Sequence, residues 1–135
     1  MHFSHQEKVL FKHCDPAGIV FFPRYAEMVN DVVEAFFDQH LQWPFELLHQ
    51  SAALPTAQIS FQFSAPSRHG DQLSLQMTIQ KIGNASMALS TAAYCQDELR
   101  FVADQTLVLV DQGGRPQRWP DNIRTRVNTL MENSN

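Results

Sequence analysis

Residues 13–25 read His13-Cys14-Asp15-Pro16-Ala17-Gly18-Ile19-Val20-Phe21-Phe22-Pro23-Arg24-Tyr25, and within them the sequence pattern changes from strand to helix. The part 15–18 is typical of a tight turn, because Asp can bond the turn's own backbone, Pro presets the second position and Gly suits the fourth. Pro23 suits a first helical position, since it has no N–H group to leave unpaired. We therefore predict a turn at 15–18 and a helix that begins at Pro23.

Downstream of Pro23 the sequence predicts a long helix with one buried face. Apolar residues recur there at three- and four-residue steps: Tyr25, Met28, Val29, Val32, Val33, Phe36, Phe37 and Leu41. This spacing places them on one side of a helix. The other side carries charged residues that include Glu27 and Glu34, which we expect to be solvated. The helix should end near Leu41 and lie on the core.

The rest of the chain is predicted from alternation and turn residues. Strands are predicted over 5–12, 57–63, 72–82, 86–95 and 100–110. Helical segments are predicted over 45–50 and 122–131, the second capped by Asp121. Gly83-Asn84 and Asp97-Glu98 are the predicted hairpin turns, and Gly113-Gly114 ends the last strand.

This order, one strand, one long helix and then four strands, predicts the α+β class. A curved antiparallel sheet of about five strands wrapped around the helix would bury the helix's apolar face. The length of 135 residues and the 44% hydrophobic content suit one domain over 1–135. The open edge of such a sheet invites pairing with a second copy, so we expect a homo-oligomer, a dimer or a tetramer.

Composition excludes several function classes. Ten Lys and Arg against fourteen Asp and Glu give a net charge of −4. The chain has no basic stripe that could follow a phosphate backbone, so we expect no nucleic-acid partner. No apolar run is long enough for a membrane span, and the N-terminus has no signal-peptide pattern, so we expect a cytoplasmic protein. Cys14 and Cys95 should be reduced. The six histidines show no ligand spacing, so we expect no metal and no cofactor.

Asp15 is the candidate for chemistry. It stands on a turn just before a helix N-terminus, where unpaired N–H groups and the helix dipole can receive an oxyanion. A carboxylate there can attack an activated acyl carbon or take a proton from water. Spacing alone also allows a simpler interpretation, in which Asp15 only caps the turn.

The segment 14–23 resembles the signature of the hot-dog-fold thioesterases, most closely the 4-hydroxybenzoyl-CoA thioesterase branch, which carries C-D-P-A-G-I-V, two aromatics, Pro and a helix. The resemblance implies an acyl-CoA thioester hydrolase in which coenzyme A is part of the substrate. It also implies that Asp15 is nucleophile or general base, that the Phe22 backbone N–H polarises the thioester carbonyl, and that Gly18 lets the acyl group approach. The active site of such enzymes lies between two subunits.

Two departures from the family pattern bear on the acyl group. Phe22 stands where a sister branch has a histidine, so Asp15 must act without one. Asn30 stands where the hydroxybenzoyl branch has an acidic residue that meets the ring hydroxyl, and it offers a hydrogen bond without charge. Benzoyl, 4-hydroxybenzoyl, other aryl, phenylacetyl-like and short or medium aliphatic acyl groups all stay open.

The resemblance also implies where coenzyme A binds. The family holds the CoA phosphates with a basic loop between two strands, and here that loop contains Lys81 as its cation. Phosphate binding would then fall on Lys81, on the Gly83-Asn84 turn, or on arginines of a second subunit. Pro55 and Thr56 occupy a stretch that lines the acyl and pantetheine channel in the family.

Two rival functions stay open at this point. A hydroxyacyl dehydratase on the same architecture would need a histidine beside the carboxylate, and Phe22 argues against it. A non-catalytic acyl-CoA-binding protein would use Asp15 only as a turn residue. Fold analogy alone does not decide between them.

Overall fold

The computed structural model describes residues 2–133. The strands are β1 (His2–Lys8), β2 (Ala52–Ala53), β3 (Thr56–Phe63), β4 (Gln72–Ile82), β5 (Ser86–Cys95), β6 (Glu98–Val108) and β7 (Val110–Asp111). The helices are α1 (Pro23–Gln39), α2 (Phe45–Leu48) and α3 (Asp121–Glu132), and a short 3₁₀ turn covers Phe11–His13.

Five strands form one antiparallel sheet in the order β1-β4-β5-β6-β3. Along β4, β5 and β6 the side chains alternate between buried and partly exposed positions, which gives the sheet one core face. β2 and β7 pair separately as a short two-stranded ribbon. The expected α+β architecture is confirmed.

Helix α1 begins at Pro23, as predicted, and covers the core face of the sheet. The residues at three- and four-residue steps are all buried, because this stripe is the side that meets the sheet. Glu27 and Glu34 are exposed, and Glu27 pairs with Arg24 at 3.0 Å. The helix therefore contributes its apolar face to the core and leaves its charges in solvent.

The first strand was predicted in the wrong place. It covers His2–Lys8 rather than 5–12, and the chain then enters the 3₁₀ turn. Val9 is buried, but it lies beyond the strand, where its N–H donates to Asp71 O at 2.8 Å. The alternation that extended the prediction to residue 12 does not mark a buried face there, since Phe11 is 79% exposed, so an apolar/polar pattern alone could not locate the end of this strand.

Other boundaries also differ from the predictions, among them the end of α2, which is at Leu48 rather than at 50. The β5–β6 turn is Gln96-Asp97, with Gln96 at φ +54°, and Glu98 already pairs with Cys95. The strand predicted over 100–110 is β6, which ends at Val108, because the chain then leaves the sheet and pairs with β2 as β7. Asp121 does not cap α3: Pro120 holds the cap position, and the Asp121 carboxylate accepts from Arg118 at 3.3 Å.

Strand β3 is an edge strand with a partly uncovered core face. Ile59 and Phe63 are 38% and 51% exposed, although they point to the same side as the buried residues of β6 with which they pair. Phe63 lies near the start of α1, since its ring is 6.2 Å from Phe22 and 5.8 Å from Tyr25. The end of β3 and the start of α1 thus form one aromatic corner of the molecule.

Candidate active site

The turn predicted at 15–18 is present and closes a small loop. Gly18 N–H donates to Asp15 O at 2.9 Å, and Asp15 N–H donates to Ile19 O at 2.9 Å. Gly18 has φ +82°, a left-handed conformation that favours glycine. A Cβ atom at Gly18 would meet nothing within 4 Å, so the backbone conformation, and not lack of space, demands glycine in this chain.

The Asp15 side chain stabilises this turn. Its Oδ1 accepts the Ala17 N–H at 2.9 Å, which is the local bond expected of a turn aspartate. Among residues 2–133 the carboxylate makes no other hydrogen bond and no ion pair. Asp15 is half-buried. One carboxylate oxygen therefore fixes the turn, and the other is available.

The helix N-terminus offers one backbone donor. Pro23 has no N–H, Arg24 N–H donates to Phe21 O at 2.8 Å, and Tyr25 N–H donates to Phe22 O at 3.1 Å. The Phe22 N–H has no acceptor among residues 2–133, and no side chain caps the helix. Because it lies at the positive end of the α1 dipole, this N–H can bind a carbonyl oxygen that gains negative charge.

A cavity of about 300 Å³ opens beside that donor. Its lining residues are Ile19, Val20, Phe22, Tyr25, Phe63, Ser64, Ala65 and Pro66. The lining is mainly apolar and partly aromatic, which suits an apolar acyl group. Asp15 does not line the cavity, although it belongs to the same loop as Ile19 and Val20.

The segment 64–71, whose first three residues form part of the cavity wall, is held by an ion pair. Arg100 Nη1 donates to Asp71 Oδ2 at 2.7 Å, to Pro66 O at 3.0 Å and to Ser67 Oγ at 3.2 Å. The Arg68 backbone N–H lowers the pKa of Asp71; burial opposes this, and Arg100 lowers it further. Ser67 O accepts the Val20 N–H at 2.8 Å. Arg100 thus fixes this segment against residues 14–22, the motif loop.

His13 connects the turn to the preceding strand. Its side chain is buried, and Nδ1 accepts the Leu10 N–H at 2.8 Å, while its carbonyl accepts the Phe21 N–H at 2.9 Å. Burial lowers the pKa of His13, and the neighbouring Lys12 lowers it further. The His13 side chain therefore points inward.

The other predicted site residues lie at the far end of the sheet. Thr56 pairs with Leu107, and Ser86, which follows the β4–β5 turn, pairs with Val108. The cavity is at the opposite end, where Phe63 and Ala93 pair with Phe101. At about 3.3 Å per residue these two ends are roughly 20 Å apart. Within one chain, the structure does not bring Pro55, Thr56, Lys81, Gly83 and Asn84 to the cavity.

The β4–β5 turn has a partner that the sequence did not indicate. Arg124 of α3 donates to Gly83 O at 2.8 Å and to Asn84 O at 3.1 Å. Lys81 is exposed and makes no ion pair within the described residues. Thr56 Oγ1 accepts from the buried Gln105 at 3.2 Å. The Gly83 and Asn84 carbonyls are therefore occupied, and the Gly83 N–H donates to Ser86 O at 2.8 Å, which leaves Lys81 as the charged group that this turn offers to a ligand.

Asn30 lies on the exposed side of α1, and its side chain makes no hydrogen bond with another described residue. The residues that the sequence analysis missed are Tyr25, Phe63 and the segment 64–66. Tyr25 was assigned to the core stripe, and it is indeed buried, but it also lines the cavity. Periodicity reports which face of a helix is inward, and it cannot reveal a gap in the packing.

Among residues 2–133, no group of three or more His, Cys, Asp or Glu is arranged to hold a metal ion. No helix in this part of the chain combines the length and the apolar character needed to cross a membrane.

Comparison with known proteins identifies relatives. The model of the thioesterase-like superfamily matches residues 9–127. A 1,4-dihydroxy-2-naphthoyl-CoA hydrolase from Synechocystis sp. is 30% identical over 78 residues, which are 57% of this chain and 56% of that protein. The match therefore spans about half the length of the relative.

Two solved structures show the same fold. A 1,4-dihydroxy-2-naphthoyl-CoA thioesterase from Synechocystis has a TM-score of 0.88 at 20% identity, over 96% of this chain and 98% of the other. A Staphylococcus aureus protein solved in complex with CoA has a TM-score of 0.90 at 16% identity, over 100% and 87% of the two chains. These identities are low, so the likeness concerns the fold.

Proposed function

The chain belongs to the thioesterase-like superfamily, and from that premise we propose that it hydrolyses an acyl-CoA thioester to a free acid and coenzyme A. Its fold is the hot-dog fold that the sequence resemblance implied. The observation that carries the proposal is the unpaired Phe22 N–H at the start of α1, directly beside an apolar cavity. The N–H can bind a thioester carbonyl while the cavity binds the acyl group of the same molecule.

Phe22 N–H supplies the electrostatic part of the reaction. When a nucleophile attacks the thioester carbon, the carbonyl oxygen becomes an oxyanion, and a preorganised donor at a helix N-terminus stabilises it. The neighbouring N–H groups of Arg24 and Tyr25 are already bonded, so Phe22 N–H is the donor that stays free for substrate. A backbone donor also explains why Phe can replace the histidine of the sister branch.

Asp15 supplies the nucleophile or the base. In the first case its carboxylate attacks the thioester carbon and CoA leaves as the thiolate, after which water hydrolyses the mixed anhydride to release the acid. In the second case it takes a proton from the attacking water, and CoA leaves in the same way. The oxygen that does not accept the Ala17 N–H is free for either role.

A homodimer would complete this site. The free edge of β3 can pair antiparallel with β3 of a second copy, which reverses the strand direction. The Thr56 end of one copy would then lie against the Phe63 end of the other. This arrangement would bring Pro55, Thr56, Lys81 and the Gly83-Asn84 turn toward the cavity of the second copy, where they would contact coenzyme A.

The cavity favours an aryl acyl group. Phe22, Tyr25 and Phe63 offer ring faces and edges to an aromatic ligand. A relative acts on 1,4-dihydroxy-2-naphthoyl-CoA, which supports the same class for this chain. Asn30, without the family's negative charge, would take part through a hydrogen bond.

The test is a thiol-release assay on benzoyl-, 4-hydroxybenzoyl-, 1,4-dihydroxy-2-naphthoyl-, phenylacetyl-, butyryl-, hexanoyl- and decanoyl-CoA, with wild type beside Asp15→Asn. We expect hydrolysis of at least one aryl-CoA and its loss in the variant. Tight binding without thiol release from any compound would instead assign the protein to the acyl-CoA-binding class. Hydration of an enoyl-CoA without thioester cleavage would favour the dehydratase.

A further inference from the structure

Tyr25 combines a buried ring with an unpaired hydroxyl. The residue is 4% exposed, and its ring centroid lies 4.5 Å from that of Phe101 and 5.8 Å from that of Phe63. Its hydroxyl makes no hydrogen bond with any residue in the range 2–133. The hydroxyl is also not among the side-chain atoms sealed from solvent. The open space beside this buried ring is the cavity that Tyr25 lines.

A buried tyrosine hydroxyl normally finds a partner, because leaving it unpaired costs stability that phenylalanine would avoid. The rest of the cavity wall offers little else for hydrogen bonding. Apart from Ser64, whose side chain is exposed, the lining side chains are apolar. Among the buried lining residues, the Tyr25 hydroxyl is therefore the one polar side-chain group on an apolar surface, and ligand sites use such groups to fix the orientation of a substrate.

The exposure of the lining residues indicates which part of a substrate would meet this hydroxyl. Phe22 is 62% exposed and marks the rim, where its N–H would hold the thioester carbonyl. Tyr25 lies at the floor, on Phe101, which is fully buried. An acyl group that enters from the rim would place its far end, and not its carbonyl, beside Tyr25.

We propose that the Tyr25 hydroxyl hydrogen-bonds a hydroxyl substituent on the acyl ring and makes Tyr25 a specificity residue for ring-hydroxylated aryl-CoA thioesters. The proposal rests on the thioesterase function proposed above and adds a residue-level determinant to it. A tyrosine hydroxyl can donate to and accept from such a substituent. Sites that bond a substrate hydroxyl reject the analogue without it, because their own polar group is then left unpaired.

The experiment compares Tyr25→Phe with Tyr94→Phe, which removes the same hydroxyl from β5, away from the cavity lining. The substrates are benzoyl-CoA and its 2-, 3- and 4-hydroxy derivatives, and kcat/KM is measured for each. We expect wild type to prefer at least one hydroxylated isomer. Tyr25→Phe should lower kcat/KM for that isomer about tenfold and change benzoyl-CoA less than about twofold. Tyr94→Phe should change neither.

Three results would overturn the proposal: no preference in wild type, an equal loss on both substrates in Tyr25→Phe, or no loss on either. Circular dichroism and thermal unfolding check that the variant folds. If wild type cleaves no thioester, the proposed function fails, but Tyr25 is still tested by calorimetry. In that case phenacyl-CoA and its hydroxylated derivatives, which have no thioester, must bind wild type with the same preference, and Tyr25→Phe must remove it.

Discussion

Two turns of this chain have the same hydrogen-bond geometry. In 15–18, Gly18 N–H donates to Asp15 O at 2.9 Å and Ala17 N–H donates to Asp15 Oδ1 at 2.9 Å. In 111–114, Gly114 N–H donates to Asp111 O at 2.9 Å and Gly113 N–H donates to Asp111 Oδ1 at 2.9 Å. Both glycines have φ +82°. By local geometry alone the two aspartates are equivalent.

Their surroundings differ. Asp111 makes one more hydrogen bond within its own turn, since its Oδ1 also accepts the Arg115 N–H at 3.0 Å. The Asp15 turn instead leads through Ile19 and Val20 into the cavity wall and on to the free Phe22 N–H. The same type of turn thus occurs twice in the chain. We attribute chemistry to the copy beside a helix N-terminus and an apolar cavity.

The largest expected difference between the two turns is in how much substitution of their aspartates lowers kcat. Asn can still accept the turn's N–H bonds, so both Asp15→Asn and Asp111→Asn should fold. Asp15→Asn should lower kcat by about a thousandfold or more, because it removes the proposed nucleophile or base. Asp111→Asn should keep kcat within about twofold. Steady-state thiol release on the best aryl-CoA measures both. Similar rates in the two variants would show that Asp15 is only a turn residue.

A second difference is in how the two ends of the molecule are held. Arg100→Met should lower the free energy of unfolding by about 2 to 3 kcal/mol, since it leaves Asp71 partly buried without its cation. Arg118→Met removes an exposed pair with Asp121 near the other end and should cost less than about 0.5 kcal/mol. Urea unfolding measures both. Equal costs would mean that Arg100 does not brace the cavity wall.

Much of this architecture could be predicted from the sequence. Pro23 and the spacing of buried residues defined α1, and alternation located β3 to β6 to within two residues, because each of these elements has one core face. The prediction was poorer where tertiary contacts override local pattern. β1 is set by its register with β4, and β7 by pairing with a two-residue strand that has no pattern of its own.

The candidate site shows a similar limit. Its turn and its helix start were predictable, since Asp15, Gly18 and Pro23 have local conformational reasons for their positions. The cavity was not, because it depends on how the end of β3 and the segment 64–66 pack against α1. Arg124 and Arg100 were missed for the same reason: each contacts backbone more than thirty residues away in the chain.

Glycine substitutions in the turns 15–18 and 111–114 should produce a smaller difference in activity between the two turns. Gly18→Val and Gly114→Val each force a β-branched residue into the left-handed region, so each should cost about 1 to 2 kcal/mol of stability. A Cβ meets nothing within 4 Å at either position, so the stability losses should be similar. At a temperature where both are folded, Gly18→Val alone should lower kcat/KM, by about tenfold. Equal activity would count against the motif loop as part of the acyl site.

The smallest expected effect is on the pH dependence of the free energy of unfolding, through His13. His13 precedes the Asp15 turn, and burial, with help from Lys12 and Arg24 against Glu27 and Asp31, lowers its pKa in the folded chain. The unfolded chain, with a His pKa near 6.5, therefore takes up the proton first as pH falls. The stabilisation that comes from keeping His13 neutral should be fully present at pH 7 and should be lost as the pH falls through 6.5 toward the lowered pKa of the folded state.

A buried acceptor explains the direction of that effect. Nδ1 of His13 accepts the Leu10 N–H, so a proton on Nδ1 would oppose two donors and break the bond that leads the chain into the turn. His13→Asn keeps an acceptor without a titrating ring, and its unfolding free energy should decline less between pH 7 and pH 5.5 than that of wild type. His69→Asn, which removes an exposed ring from the neighbouring loop, should keep the wild-type decline. If His13→Asn follows the wild-type curve, the acid sensitivity of the motif loop comes from another group.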